Sequence, residues 1–258
     1  MEVHKHPHHV THKKKWGEYF LEFLMIFLAV TLGFFAETVR ENLTEHKRAK
    51  EYAASLVKDL ATDTAQLRAY RTYFVYAASN VDTLLHLLSV AGPKEVPSGK
   101  LYWYGLFGGA PRFFVPNDAT FQQMKSSGSL RYFKKTVAAD VAMYDRFCRI
   151  MQENDQRQQG IYVEVRKTRA QIFEFRYNNV ANNLVQAMLL PTVDYSKIDS
   201  FIKTNPPLLN YDKSLINQYI ELVRSRFLSR NISYADSLLK YGSLLITELN
   251  KEYGLRND

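Results

Sequence analysis

Residues 19–36, YFLEFLMIFLAVTLGFFA, constrain this chain more than any other stretch, because only Glu22 and Thr31 interrupt an otherwise apolar run. As an α-helix rising about 1.5 Å per residue, the run spans roughly 27 Å, close to the ~30 Å of a bilayer's hydrocarbon. It reads as a membrane anchor. Nothing later in the sequence matches it, so the expectation is a single anchored span carrying a large water-soluble part, with the lipid bilayer as its first partner.

The flanks of the run suit that reading. Trp16 and Tyr19 stand where an aromatic belt meets the interface. Lys13, Lys14 and Lys15 precede the span, and positive charge there favours the cytoplasmic side. Arg40, Lys47, Arg48 and Lys50 nearly balance them on the other flank. The preferred topology is a cytoplasmic N-terminus and a C-terminal domain outside the cytoplasm. Cleavage is not expected, because LGFFAETVR lacks the small-x-small pattern of a peptidase site. Residues 1–15 hold five of the seven histidines, His4, His6, His8, His9 and His12, and four lysines. Clustered histidines can bind a divalent metal, but Pro7 and the lack of a carboxylate or thiol partner define no geometry, so a flexible basic tail is the reading taken.

Within the span, Ala29 and Gly33 form a small-x-x-x-small pair, and Glu22, Ala29, Gly33, Ala36 and Arg40 share one helical face. A carboxylate in a membrane is easiest to keep where helices pack or enclose water. The stripe therefore points to homo-oligomer formation through Glu22, Ala29 and Gly33. A monomeric anchor with Glu22 at the head groups fits equally well.

Beyond the anchor, a chain of 258 residues that is 46% hydrophobic is long enough to bury one core. The single Cys148 excludes an intramolecular disulfide. A net charge of +8 raises nucleic-acid binding, but the charges are spread singly along helices beside acids, which argues for solvated faces. No nucleic-acid partner is expected.

Residues 37–91 contain no proline or glycine. Leu56, Leu60, Asp63, Leu67, Tyr70, Phe74, Ala77, Val81, Leu84 and Leu88 recur at alternating spacings of three and four, a heptad seam broken only by Asp63. The bulky rings of Tyr70 and Phe74 favour a bundle over a dimeric coiled coil. Residues 92–100 break the pattern, and an aromatic insert follows with Trp103, Phe107, Phe113 and Phe114. This insert reads either as a partner surface or as a loop folded over the bundle end that buries its own rings. Pro116, Asn117 and Asp118 start a short helix that Gly128 ends. A second long helix is written over residues 134–177, with Val137, Val141, Tyr144, Cys148 and Met151 on one seam and a phase slip or kink at Gly160. Residues 178–210 read as an irregular connection with a short helix after Asp194. Residues 211–253 read as one last helix, or as two divided near Asn231. The fold class is all-α: an N-terminal transmembrane helix (16–40) continuing into a long-helix antiparallel bundle (41–258) with an aromatic loop insert.

Catalytic signatures are missing. There is no HExxH, GxSxG, phosphate loop or paired-cysteine set, and Gly108-Gly109 lacks the lysine or glycine spacing of a nucleotide loop. Outside the tail only His46 and His86 remain, and His86 beside the Leu84/Leu88 seam reads as a bundle-edge residue. No cofactor is expected. The sequence favours a non-enzymatic interaction, scaffold or sensor module with an unknown protein partner. The alternative is a subunit of an oligomeric transport or conducting assembly with Glu22 lining the path.

The segments HHVTHKKKWGEYFLEFLMIFLAVTLGFFAETVRE, EYAASLVKDLATDT and FVPNDATFQQMKSSGSLRYF resemble a family of uncharacterised single-pass membrane proteins of Bacteroidota, over about residues 8–65 and 115–135. The resemblance implies an inner-membrane protein with a helical domain. It carries no catalytic residues with it.

Overall fold

The computed structural model describes residues 15–109, 111–187, 194–226 and 228–255, and packing divides the chain into two units, Met1–Glu51 and Tyr52–Asp258. The histidine-rich tail before Lys15 lies outside the described residues. Eight α-helices are seen among the described residues: α1 Trp16–Val90, α2 Ser98–Leu106, α3 Ala119–Ser127, α4 Lys135–Ile172, α5 Phe175–Ala187, α6 Tyr195–Ile202, α7 Lys213–Arg224 and α8 Leu228–Tyr253. Among those residues there is no β-strand, only one isolated antiparallel bridge between Phe173 and Leu208. The protein is all-α.

In the first unit, α1 contains a stretch of mean hydropathy 2.1 with none of it buried, so this helix is long and apolar enough to cross a membrane. Phe20, Phe27, Leu32, Phe34 and Phe35 all stand exposed. The Thr31 hydroxyl donates to the Phe27 carbonyl at 2.7 Å, which satisfies that donor within the helix. The packing divides at Glu51–Tyr52 rather than after Arg40, since residues just past the apolar run are helical but unpacked, with Leu43 68% exposed.

In the second unit, the seam on α1 is buried from Leu56 to Leu84, as its spacing requires. Paired positions define the packing. Tyr144 of α4 donates to Asp63 at 3.1 Å and Tyr70 donates to Asp155 at 2.8 Å, so α1 and α4 run in the same direction. Asn231 of α8 bonds Tyr70 and Asp155, Gly242 lies against Thr64 and Tyr144, and Tyr253 packs on Phe133, so α8 runs opposite to both. The fourth leg is the segment between α1 and α4. It descends past Arg169 at Gly105, Val223 at Gly108, Asp155 at Phe114 and Asp63 at Asn117. The expected antiparallel bundle is therefore up-down-up-down, and its second leg is built from α2, the non-helical residues 111–118 and α3.

Four details differ from the reading of the sequence. The aromatic insert is helical in its first half, because α2 is clasped by the segment after α6: the Gly99 N–H donates to the Thr204 carbonyl at 3.1 Å, Ser98 N donates to Asn205 Oδ1 at 3.1 Å, and Ser98 Oγ donates to Pro206 O. No phase slip occurs at Gly160. Val141, Tyr144, Cys148, Met151, Asp155, Gln158, Val165, Arg169 and Ile172 keep a single buried seam, which was obscured because three of its members are polar. The helix expected to run to Tyr177 ends at Ile172, and residues 178–187, expected to be irregular, belong to a separate helix, α5. The last helical region divides at Ser225, after α7, because Asn231 is needed inside α8 as a buried partner of Tyr70 and Asp155. The expected stops hold elsewhere: Gly128 caps α3 with φ 69°, and Asp194 accepts from the Ser196 N–H at 3.1 Å to start α6.

Candidate ligand-binding cleft

A cleft of about 410 Å³ opens in the second unit between α4 and α5, within the range of small-molecule sites. Helical periodicity aims two rows of side chains into it. From α4 come Tyr162, Arg166 and Arg169, at spacings of four and three, with Phe173 following at its C-cap. From α5 come Asn178, Asn182 and Gln186, each four residues apart. Tyr73 of α1 and Leu106, Phe107 and Pro111 of the second leg close the apolar side.

Arg169 is the anchor of this site. It is 6% exposed, and neutral acceptors hold it: Nε and Nη2 donate to Asn178 Oδ1 at 3.0 and 2.6 Å, Nη2 donates to the Tyr102 carbonyl at 3.0 Å, and Nη1 donates to the Tyr219 hydroxyl at 3.3 Å. Its guanidinium also lies 4.3 Å from the centre of the Phe173 ring. Tyr219 passes its own proton to the Gly105 carbonyl at 2.7 Å. A Cβ at Gly105 would lie 2.7 Å from Arg169 Nη1 and 2.8 Å from the Tyr219 hydroxyl, so a larger residue there displaces both groups. Arg166 is exposed and donates through Nη1 to the Tyr162 hydroxyl at 2.9 Å.

A second pair of arginines stands behind the cleft wall. Arg226 is 2% exposed, donates to Gln158 Oε1 and the Gly108 carbonyl, and lies over the Tyr162 ring. Burial lowers its pKa, but a guanidinium stays charged in a protein. Arg112 lies 5.4 Å from the Tyr73 ring centre. The Tyr73 hydroxyl has no hydrogen-bond partner among the described residues, and burial pushes its pKa up to about 12, so it keeps its proton. Among the described residues no carboxylate lines the cleft and none is ion-paired with Arg112, Arg166, Arg169 or Arg226.

The remaining polar core holds the fold together. Asp63 accepts from the Asn117 backbone N–H and side chain at 2.7 and 2.9 Å and from Tyr144. Asp155 accepts from Tyr70, Asn231 and the Phe114 N–H. Burial raises the pKa of both carboxyls, and these hydrogen bonds oppose the rise. Cys148 is buried, and desolvation holds its thiol far above the ordinary range, the reverse of what a nucleophile needs. Among the described residues, no group of three or more His, Cys, Asp or Glu side chains is gathered as a metal site requires.

Of the residues singled out from the sequence, Glu22, Ala29 and Gly33 lie exposed on α1 in the first unit, and a Cβ on Gly33 would meet nothing within 4 Å. Trp103, Phe107, Phe113 and Phe114 do not form one partner surface. Trp103, Phe107 and Phe114 are each 3% exposed and only Phe113, at 50%, faces outward. In this non-helical segment the two adjacent rings part, Phe113 to solvent and Phe114 into the core. Trp103 and Phe107 pack edge to face at 5.6 Å, so the insert buries its own rings. No motif in the sequence marks the arginine and amide rows of the cleft, and their three- and four-residue spacings are the only signal of them.

No protein-family model matches the chain, and no curated protein or solved structure matches it either.

Proposed function

We propose that the chain is a membrane-anchored, non-enzymatic binding module, a sensor or scaffold whose first unit fixes it to a bilayer and whose helical unit presents the cleft. The observation that carries this reading is the apolar stretch of α1, exposed along its whole length beside a second unit that buries its own core. An apolar surface of that extent is costly in water and favourable in lipid, at roughly 25 cal/mol per Å². Lys13, Lys14 and Lys15 support a cytoplasmic N-terminus with the helical unit across a bacterial inner membrane. The resemblance to single-pass proteins of Bacteroidota supports the same arrangement. Glu22, Ala29 and Gly33 support self-association within the bilayer.

Alkaline carbonate extraction of membranes from a producing cell tests the anchor. The chain stays with the pellet if the reading is right, and recovery in the aqueous fraction refutes it. Size measurement in detergent tests the association: Gly33→Leu shifts the wild-type oligomer to monomer, and a wild type that is already monomeric removes that part of the proposal.

A further inference from the structure

We propose that the cleft between α4 and α5 binds a small organic carboxylate that carries an apolar or aromatic group. The inference deepens the binding-module reading and rests on it for the second unit. Three features of the cleft converge on this chemistry.

The first is charge. Arg169 is buried and Arg166 lies at the mouth, with no carboxylate lining the site. A guanidinium held only by neutral acceptors keeps its positive field, and low local dielectric strengthens it. The second is the count of free donors. A guanidinium has five N–H groups, and the Arg169 contacts to Asn178, Tyr102 and Tyr219 engage four of them. One N–H is left on Arg169, Arg166 uses only Nη1, and Tyr162 accepts from Arg166 while its own proton is free. That small donor set suits the two oxygens of a monoanion better than the three oxygens and higher charge of a phosphate. The third is the division of the walls. Tyr73, Phe107 and Phe173 form an apolar side, while Asn182 and Gln186 are exposed amides on the other, suited to polar substituents of the ligand.

The test uses the full chain in detergent micelles and measures binding of phenylacetate by calorimetry and by saturation-transfer NMR. Phenylacetamide is the uncharged isostere and phenyl phosphate the more highly charged anion. Phenylacetate is expected to bind, with each of the other two at least about tenfold weaker. Arg166→Gln and Asn182→Asp, both at exposed positions, are expected to weaken phenylacetate about tenfold while far-UV circular dichroism and Tm are unchanged. Arg157→Gln, an exposed arginine of α4 that does not line the cleft, removes the same charge and is expected to leave binding as it was. Phenylacetamide binding as tightly as phenylacetate, phenyl phosphate binding more tightly, absence of phenylacetate binding, or indifference to both cleft variants would each overturn the proposal. Release from membranes by carbonate refutes the anchor without touching anion binding, so the two failures are told apart.

Discussion

Two buried carboxylates do structural work that their hydropathy hides. Asp63 accepts only from donors, the Asn117 N–H and amide and the Tyr144 hydroxyl. In Asp63→Asn, an NH₂ must face one of those donors, so we expect a loss of roughly 1–3 kcal/mol at neutral pH, read by urea denaturation. Burial raises the folded-state pKa of Asp63 above its ordinary 3.8, so in that window the folded state binds more protons than the unfolded chain. Stability from this group is therefore lower above the folded pKa and recovers as pH falls through it toward 3.8. The advantage of wild type over Asp63→Asn should widen on acidification through that window, and a constant gap would contradict the assignment. Asp63 could be located in the sequence as a polar interruption of the α1 seam, but its partners could not, because Asn117 and Tyr144 are distant in the chain. Glycines separate in the same way. A Cβ at Gly99 would lie 2.3 Å from the Phe201 carbonyl oxygen and 2.8 Å from that of Thr204, both backbone atoms, whereas one at Gly160 meets nothing within 4 Å. We expect Gly99→Ala to cost about 1–3 kcal/mol or more and Gly160→Ala to stabilise by roughly 0.5–1 kcal/mol in the same assay.

At the scale of elements, regular helices were legible and the irregular second leg was not. The α1 seam and the first half of α4 are apolar at heptad spacing, and burial follows that pattern residue by residue. Past Met151, the α4 seam continues through Asp155, Gln158 and Arg169, and a search for apolar periodicity loses it there. Those polar members face the second leg because that leg has few helical hydrogen bonds of its own. Asp155 receives the Phe114 N–H, Arg169 donates to the Tyr102 carbonyl, and Asp63 of α1 receives Asn117. Buried backbone groups need such partners, and the long helices supply them. Asp155→Ala should therefore loosen residues 111–118 before it loosens α4. Amide exchange at Phe114 should rise while the amides of Val137 and Val141 keep their protection, and a uniform loss across both would refute this division of labour.

For the whole molecule, the controlling term is where the apolar surface of α1 goes. Leu28→Arg places a guanidinium in the middle of the run, at an expected cost of about 2.5–3.5 kcal/mol for insertion, and should move part of the protein into the carbonate supernatant. An unchanged distribution would argue against a span centred there. The sequence alone determined the anchor-like run, the all-α class, the two long seams and the caps at Asp194 and Gly128, since each depends on periodicity or on local backbone chemistry. Only the tertiary structure decided that the aromatic segment is a leg of the bundle with Phe113 alone outside, and that α4 and α5 face each other across a cleft lined with arginine and amide groups. Those outcomes depend on contacts such as Gly99 with Thr204 or Arg169 with Tyr102, between residues far apart in the chain, and no spacing along one segment encodes which distant partner satisfies a buried donor.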